Sequence, residues 1–141
     1  MNQSDKTTSS SAKAQQRSAC PISSFLDILG DKWSLLVVRD LFIGLTTYSD
    51  FQSGPEKIPT NILADRLKRL QQHQIIAKQK YQEHPARYHY ILTEKGQQLG
   101  PVIQAMLNWS QQHVNHVLDN QQIKQVKSQR LKARKVPIDD N

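Results

Sequence analysis

The fold is decided by residues 58–96, which read IPTNILADRLKRLQQHQIIAKQKYQEHPARYHYILTEKG. A helix is predicted over residues 60–73, because large apolar side chains recur there at spacings of four and three residues, at Leu63, Leu67 and Leu70. Residues 75–81 and 88–92 have high β-propensity, and a turn-like tip lies between them. The stretch therefore predicts a helix followed directly by a β-hairpin.

Three helices are predicted before this stretch. The first begins at Pro21, since the proline ring suits the first turn of a helix. The second covers residues 32–43 and is nearly apolar, so we expect it at the centre of the core, with Asp31 as its cap. The third is short and covers residues 47–53. Two helices, a turn, a third helix and a hairpin define a winged helix-turn-helix, an α+β fold that is mainly α.

The sequence after the hairpin predicts one long amphipathic helix that reaches Leu118, with a kink near Gly100-Pro101. Beyond it the apolar pattern fades, and residues 119–141 are expected to be a basic, flexible tail. Residues 1–19 are rich in polar side chains and are expected to be disordered. The domain that binds DNA and dimerises is thus predicted over residues 20–118.

The positive charge of the chain is concentrated on the decisive stretch. The formal net charge is +7, and residues 57–87 alone hold seven basic and two acidic side chains. Such polarised charge indicates a polyanionic partner on one face, although ordinary solvated lysines are the plain alternative. No signal-peptide core or membrane-length apolar run is present, so a cytoplasmic protein is expected.

The outer face of the 60–73 helix carries the candidate base contacts. A helix of this kind enters the major groove, and its N-terminal half reaches the base edges. The candidates are Thr60, Asn61, Ala64, Asp65, Lys68 and Arg69. Asn61 can pair with adenine, and Asp65 can accept from cytosine N4. Asp65 also has a structural alternative, which is to pair with Arg69 four residues on.

The hairpin over residues 75–92 is the wing of the predicted fold, and it carries further candidate contacts to DNA. Arg87, at the tip, is expected to meet the minor groove or its phosphates, while the bland alternative is solubility at a loop tip. Lys78 and Lys80 would add phosphate contacts from the strand.

Several motifs resemble the HxlR-type transcriptional regulators, which are relatives of the MarR proteins. They are CP at 20–21, LGDKW at 29–33, RDL at 39–41, IPTNILADRL at 58–67 and YHYILTEKG at 88–96. The resemblance covers about residues 20–117 and implies a homodimeric bacterial DNA-binding regulator whose dimer is built from the terminal helices. His84 in the wing tip and the long basic C-terminal tail depart from the family's usual pattern.

The terminal helices offer more apolar surface than one small domain covers easily, which indicates a two-fold dimer. The alternative is that the last helix packs only on its own core. The candidate interface residues are Phe25, Leu99, Ile103, Met106, Trp109 and Val114.

Cys20 is the one candidate for a sensing chemistry, because the chain has a single cysteine and therefore no internal disulfide. A position at a helix N-terminus favours the thiolate, and the neighbouring Arg17 could assist. Some relatives that the chain resembles use a cysteine at this position to sense oxidants or electrophiles. The alternative is a small buried side chain without chemistry.

Other functions find little support in the sequence. No glycine-rich phosphate loop, paired-carboxylate motif or nucleophile elbow is present, so we do not expect an enzyme. His113 and His116 stand three residues apart without further ligands, so neither a metal site nor a cofactor is expected. The expectation is a repressor that binds a pseudo-palindromic operator. The alternatives are a non-catalytic protein-interaction module on the same fold and a ligand-responsive regulator without cysteine chemistry.

Overall fold

The computed structural model describes residues 16–134, and within this range the chain forms seven α-helices and one β-hairpin. The helices are α1 (Pro21–Leu29), α2 (Ser34–Ile43), α3 (Tyr48–Gln52), α4 (Thr60–Gln72), α5 (Glu94–Gln97), α6 (Gly100–His113) and α7 (Asn120–Lys132). The strands are β1 (Ile76–Gln82) and β2 (Arg87–Leu92). The predicted winged helix-turn-helix is confirmed, and none of the described helices is long and apolar enough to cross a membrane.

The core is built between α2, α4 and the hairpin. Val37 and Val38 of α2 are buried. Three leucines of α4 lie against the same core with at most 2% of their surface exposed, namely Leu63, Leu67 and Leu70. Burial of one such side chain stabilises a fold by about 1.5–3 kcal/mol. Because the apolar face of α4 is buried in the core, the opposite face of this helix is exposed to solvent.

The turn between α2 and α3 contains a glycine that ends the first helix and a threonine that caps the second. Gly44 ends α2 with a φ of +114°, a left-handed conformation that glycine adopts without strain. Thr47 caps α3 through a reciprocal pair of hydrogen bonds, in which its hydroxyl accepts from the Asp50 N–H and the Asp50 carboxylate accepts from the Thr47 N–H. The predicted short helix is confirmed.

The hairpin is antiparallel, with Ile76 opposite Leu92 and Lys80 opposite Tyr88, and an irregularity between Lys80 and Gln82. The Tyr90 N–H donates to the Thr46 carbonyl at 2.8 Å and so fastens β2 to the turn before α3. The wing is thus held directly against the helix-turn-helix.

The C-terminal part differs from the sequence prediction. The single long helix is divided into α5 and α6, with Pro101 in the first turn of α6, and α6 ends at His113 instead of Leu118. Residues 120–132 form α7, which Asp119 begins with a capping box, so this part of the expected flexible tail is a helix. The expectation failed because α7 has few apolar residues, and polar contacts hold it in place.

Of the N-terminal residues 1–19, which are predicted to be disordered, the structure describes only residues 16–19. Residues 1–15 and 135–141 lie outside the described residues, and residues 16–19 have no regular secondary structure. Arg17 is nevertheless bound to Asp27 of α1, with 2.6 Å between its Nε and a carboxylate oxygen. Hydrogen bonds from the Arg17 backbone, and then from its side chain, lower the pKa of Asp27 despite an opposing effect of desolvation.

Candidate nucleic-acid interface

The outer face of α4 is exposed along its N-terminal two thirds. Its exposed side chains include five of the six predicted candidates, namely Thr60, Asn61, Ala64, Asp65 and Lys68. Because Leu63, Leu67 and Leu70 face the core, these five lie on the solvent side of the same helix. They form a polar ridge that a groove of duplex DNA can admit.

The helix α3 holds the first turn of α4 by two polar contacts. The Tyr48 hydroxyl donates to the Thr60 carbonyl oxygen at 2.9 Å, and the Gln52 amide donates to the Thr60 hydroxyl oxygen at 3.2 Å. Sequence reasoning did not single out Tyr48 and Gln52, since nothing in their spacing shows that they meet residue 60. These contacts set the direction in which the N-terminus of α4 points.

Arg66 has a role that the sequence did not indicate. Its Nε donates to Asp31 at 2.8 Å, and its Nη1 pairs with Asp65. The alternative pairing of Asp65 with Arg69 is therefore wrong. Asp31 also accepts from the Trp33 and Ser34 N–H groups at the start of α2. The helix begins two residues later than predicted, and its N-cap residue is Trp33 instead of Asp31. Arg66 thus ties the middle of α4 to the start of α2.

The environment of Asp31 favours its charged form. Burial alone would raise its pKa, but hydrogen bonds from the Ser34 hydroxyl, the Arg66 guanidinium and two backbone N–H groups outweigh it. The pKa of Asp31 falls to about 2 as a result. The carboxylate that joins α2 to α4 is therefore ionised at every pH near neutrality.

Arg69 is placed differently from the other candidates. Its Nη2 donates to the carbonyl oxygens of Asp27 and Ile28 at 3.4 and 3.3 Å, at the C-terminal end of α1. A cation there is favourable because the carbonyl end of a helix is partially negative. Half-buried Arg69 therefore ties α4 to α1 and does not share the outer face with Lys68.

The three predicted cations of the wing are exposed at its surface, but their neighbours differ. Lys78 Nζ lies 4.5 Å from the centre of the Tyr88 ring, and Lys80 Nζ lies 3.5 Å from the Glu83 carboxylate. Arg87 is exposed at the start of β2. Of the three, Lys80 is the one with a charged partner among the described residues, which reduces its capacity to meet a phosphate.

An open cleft separates the wing from α3. It is lined on the wing side by Lys78, Arg87 and Tyr88, and on the α3 side by Tyr48 and Ser49. Hydroxyls and cations that face one channel suit a phosphate backbone. Tyr48 and Ser49 were missed in the sequence because only the contact of β2 with the turn before α3 brings them beside the wing.

The predicted dimer residues fall into two groups. Phe25, Leu99 and Ile103 are half-buried and pack against the core of their own chain, so most of their surface is already used. The other three are exposed on or just after α6, with 48% of Met106, 61% of Trp109 and 44% of Val114 accessible.

Two further apolar side chains on α1 were missed. Ile22 is 72% exposed and Leu26 is 50% exposed, four residues apart on the face of α1 that does not meet the core. Exposed apolar side chains of this kind on α1 and α6 are typical of an association surface.

Cys20 is exposed and immediately precedes α1, where its backbone is extended and its side chain makes no capping hydrogen bond. Arg17 was predicted to assist formation of the Cys20 thiolate, but its guanidinium is bound to Asp27 instead. His116 has a φ of +65° and lies beyond the end of α6, so it does not share a helical face with His113.

The exposed ridge of α4 beside a cationic hairpin defines a winged helix-turn-helix transcriptional regulator. The chain belongs to the HxlR-like helix-turn-helix family, whose profile matches residues 28–118.

Relatives of this family resemble the chain in both sequence and structure. A transcriptional regulator of Synechocystis, sll1512, is 39% identical over 87 residues, covering 62% of this chain and 64% of that protein, just under two thirds of its length. The regulator YodB of Bacillus subtilis is 35% identical over 94 residues, covering 66% of this chain and 84% of YodB.

Solved structures agree. The reduced form of YodB gives a TM-score of 0.59 at 32% identity, covering 72% of this chain and 100% of that one. The redox regulator HypR in its oxidised form gives 0.63 at 26% identity, covering 68% and 99%.

Proposed function

We propose that the protein is a cytoplasmic homodimer that binds a pseudo-palindromic DNA operator and represses transcription by covering a promoter. The observation that carries the proposal is the exposed polar ridge of α4, together with the cationic wing and the open cleft between the wing and α3. The protein acts in this proposal by binding and has no catalytic activity of its own.

In the proposed complex α4 lies in the major groove. Asn61 pairs with an adenine, Asp65 accepts from a cytosine N4, and Lys68 meets a guanine or a phosphate. Thr60 lies at the helix start, with its hydroxyl oxygen already accepting from Gln52 and its proton free to donate. Arg87 and Lys78 neutralise phosphates beside the cleft and set the register without reading bases.

The exposed apolar side chains of α1 and α6 support the dimer. Ile22, Leu26, Met106 and Trp109 would be covered by a second copy across a two-fold axis. The α4 helices of the two copies, about 34–36 Å apart, would then enter successive major grooves on one side of the duplex.

The salt dependence of binding tests this proposal. Fluorescence anisotropy with labelled duplex DNA is expected to show affinity that falls steeply with salt, because phosphate contacts release counterions. Lys68→Ala or Arg87→Ala is expected to reduce the salt slope by about 1 for each phosphate contact removed. Lys124→Ala, which removes an exposed charge from α7, is the matched control and should keep the slope. Affinity that is insensitive to salt would favour the protein-interaction module instead.

We further propose that Cys20 adjusts this binding in response to oxidants. Its exposure beside α1 supports access by an oxidant, and the similarity to the redox regulator HypR supports the class of signal. Since the chain has one cysteine, a disulfide with a second copy would join two Cys20 thiols, with diamide taking up the two electrons and two protons.

Diamide treatment of the wild type and of Cys20→Ser tests the redox proposal. Oxidation is expected to change the operator affinity of the wild type and to leave that of the variant unchanged. Equal operator affinity of the wild type before and after complete oxidation contradicts a sensing role for Cys20.

A further inference from the structure

The C-terminal helix α7 lies beyond the family-matched residues. Arg130 in its last turn and Arg134, two residues after its end, each form an ion pair with the helix-turn-helix. The Arg130 guanidinium donates to both oxygens of Asp40, at 2.7 and 3.0 Å. The Arg134 guanidinium meets both oxygens of Asp50, at 3.2 and 2.9 Å. Two-point pairing of this kind fixes the relative orientation of its partners.

Both pairs are removed from water. The side chains of Asp40 and Asp50 are each 3% exposed, and those of Arg130 and Arg134 are 10% and 15% exposed. Asp40 has a second charged partner in Arg39, 2.9 Å away, whereas Arg134 is the one charged partner of Asp50 among the described residues. Removing the only charged partner of a buried carboxylate strongly destabilises a fold. The end of α7 is therefore held firmly, even though few apolar side chains attach it.

The carboxylate that Arg134 binds also organises the start of α3. Asp50 accepts from the Thr46 and Thr47 N–H groups at 2.9 and 3.0 Å. Arg134 itself donates to the Thr46 hydroxyl at 3.0 Å, and Arg130 donates to the Asp50 carbonyl oxygen at 3.2 Å. The two arginines thus hold both the turn before α3 and α3 itself.

The contacts continue from α3 to the DNA-facing helix. Tyr48 and Gln52 of α3 bind Thr60, the first residue of α4. A shift of α3 would therefore displace the N-terminal turn of α4, which carries Asn61. The path from α7 to the candidate base contacts passes through Asp50, α3 and Thr60.

We propose that Arg130 and Arg134 are positioning residues, which hold α3 and thereby set the direction of the N-terminus of α4 for DNA binding. This inference rests on the proposed function. It gives α7, a segment beyond the family-matched residues, control over a surface that it does not itself form. The competing explanation is that the basic helix α7 contacts phosphates directly, through lysines such as Lys124 and Lys132.

A matched pair of double variants separates these explanations. Arg130→Met with Arg134→Met removes two buried, paired charges, whereas Lys124→Met with Lys132→Met removes two exposed charges from the same helix. Amide hydrogen exchange over residues 46–61 and operator affinity by anisotropy are measured for both full-length proteins. Positioning predicts faster exchange and at least tenfold weaker binding, about 1.4 kcal/mol, for the arginine variant alone.

Two results would overturn the inference. One is unchanged exchange and affinity in the arginine variant, and the other is an equal loss of affinity in both variants with unchanged exchange. Should the arginine variant not fold, Arg134→Lys keeps the charge without the two-point pairing, and faster exchange over residues 46–52 is still expected. If the wild type binds no duplex DNA, the proposed function is refuted. Amide hydrogen exchange in the arginine variant then tests by itself whether α7 holds α3.

Discussion

At the scale of residues, three neighbouring side chains of α4 have separate tasks. Arg66 binds Asp31 at the start of α2, and Arg69 binds carbonyl oxygens at the end of α1. Lys68, between them in the chain, is exposed and makes no ion pair among the described residues. Two arginines therefore hold α4 in place, and the lysine between them is left for a ligand.

The Asp31 contact predicts a pH dependence of stability. The folded pKa of about 2 lies below the ordinary value of 3.8, so the contribution is complete above about pH 4 and is lost as the pH falls toward 2. Urea unfolding at pH 5 and at pH 2.5 is expected to show a stability gap between the wild type and Asp31→Asn that shrinks at the lower pH. A gap that stays constant would show that the charge of Asp31 does not contribute.

The residue scale is also where the sequence was least informative about the site. Asn61, Asp65 and Lys68 follow from helical periodicity, because the positions opposite the leucines must face outward. The partner of Arg66 is 35 residues away and that of Arg69 is about 41 away, distances at which no local pattern identifies a pair. Sequence alone therefore overestimated how many cations of α4 are free.

At the scale of elements, the junction between the hairpin and α5 depends on one close approach. Thr93 accepts from the Gly96 N–H and donates to the Gln74 carbonyl oxygen, which draws α5 against the start of β1. A Cβ on Gly96 would lie 2.1 Å from the Ile75 carbonyl oxygen. The glycine permits this approach, and the wing is anchored to the body by it.

Gly96→Ala is therefore expected to destabilise the fold by about 1–3 kcal/mol, the usual cost of overpacking. Urea unfolding followed by circular dichroism measures the loss. Gly100→Ala is the control, since a Cβ there meets only Phe42 ring atoms at 3.6–3.7 Å, an ordinary contact. Equal stability of the two variants would contradict the anchoring role of Gly96.

Elements with an apolar face were predictable, and α7 was not, although Asp119 begins it with a capping box. The leucines of α4 and the capped start of α3 gave clear local patterns, and the structure agrees with both. Contacts from α7 come instead from Arg130 and Arg134 to carboxylates about 84–90 residues away. Ion pairs at that separation leave no periodic pattern in a sequence.

At the scale of the whole molecule, the exposed apolar side chains of α1 and α6 predict a dimer. Trp109→Glu places a charge on this surface and is expected to yield a folded monomer, because Trp109 is 61% exposed and supports little of its own core. Analytical ultracentrifugation measures the mass. Gln104→Glu adds the same charge at another exposed position of α6 and should remain dimeric. A dimeric Trp109→Glu variant would move the interface elsewhere.

The most direct measurement is selection of bound duplexes from a random DNA library by the wild type and by Asn61→Ala. The wild type is expected to select a two-fold symmetric sequence whose half-sites lie about 10 base pairs apart. Asn61→Ala should lose preference at one position of each half-site, at a cost of about 1–3 kcal/mol. Selection of no sequence by the wild type, or of the same sequence by both proteins, would contradict base reading by α4.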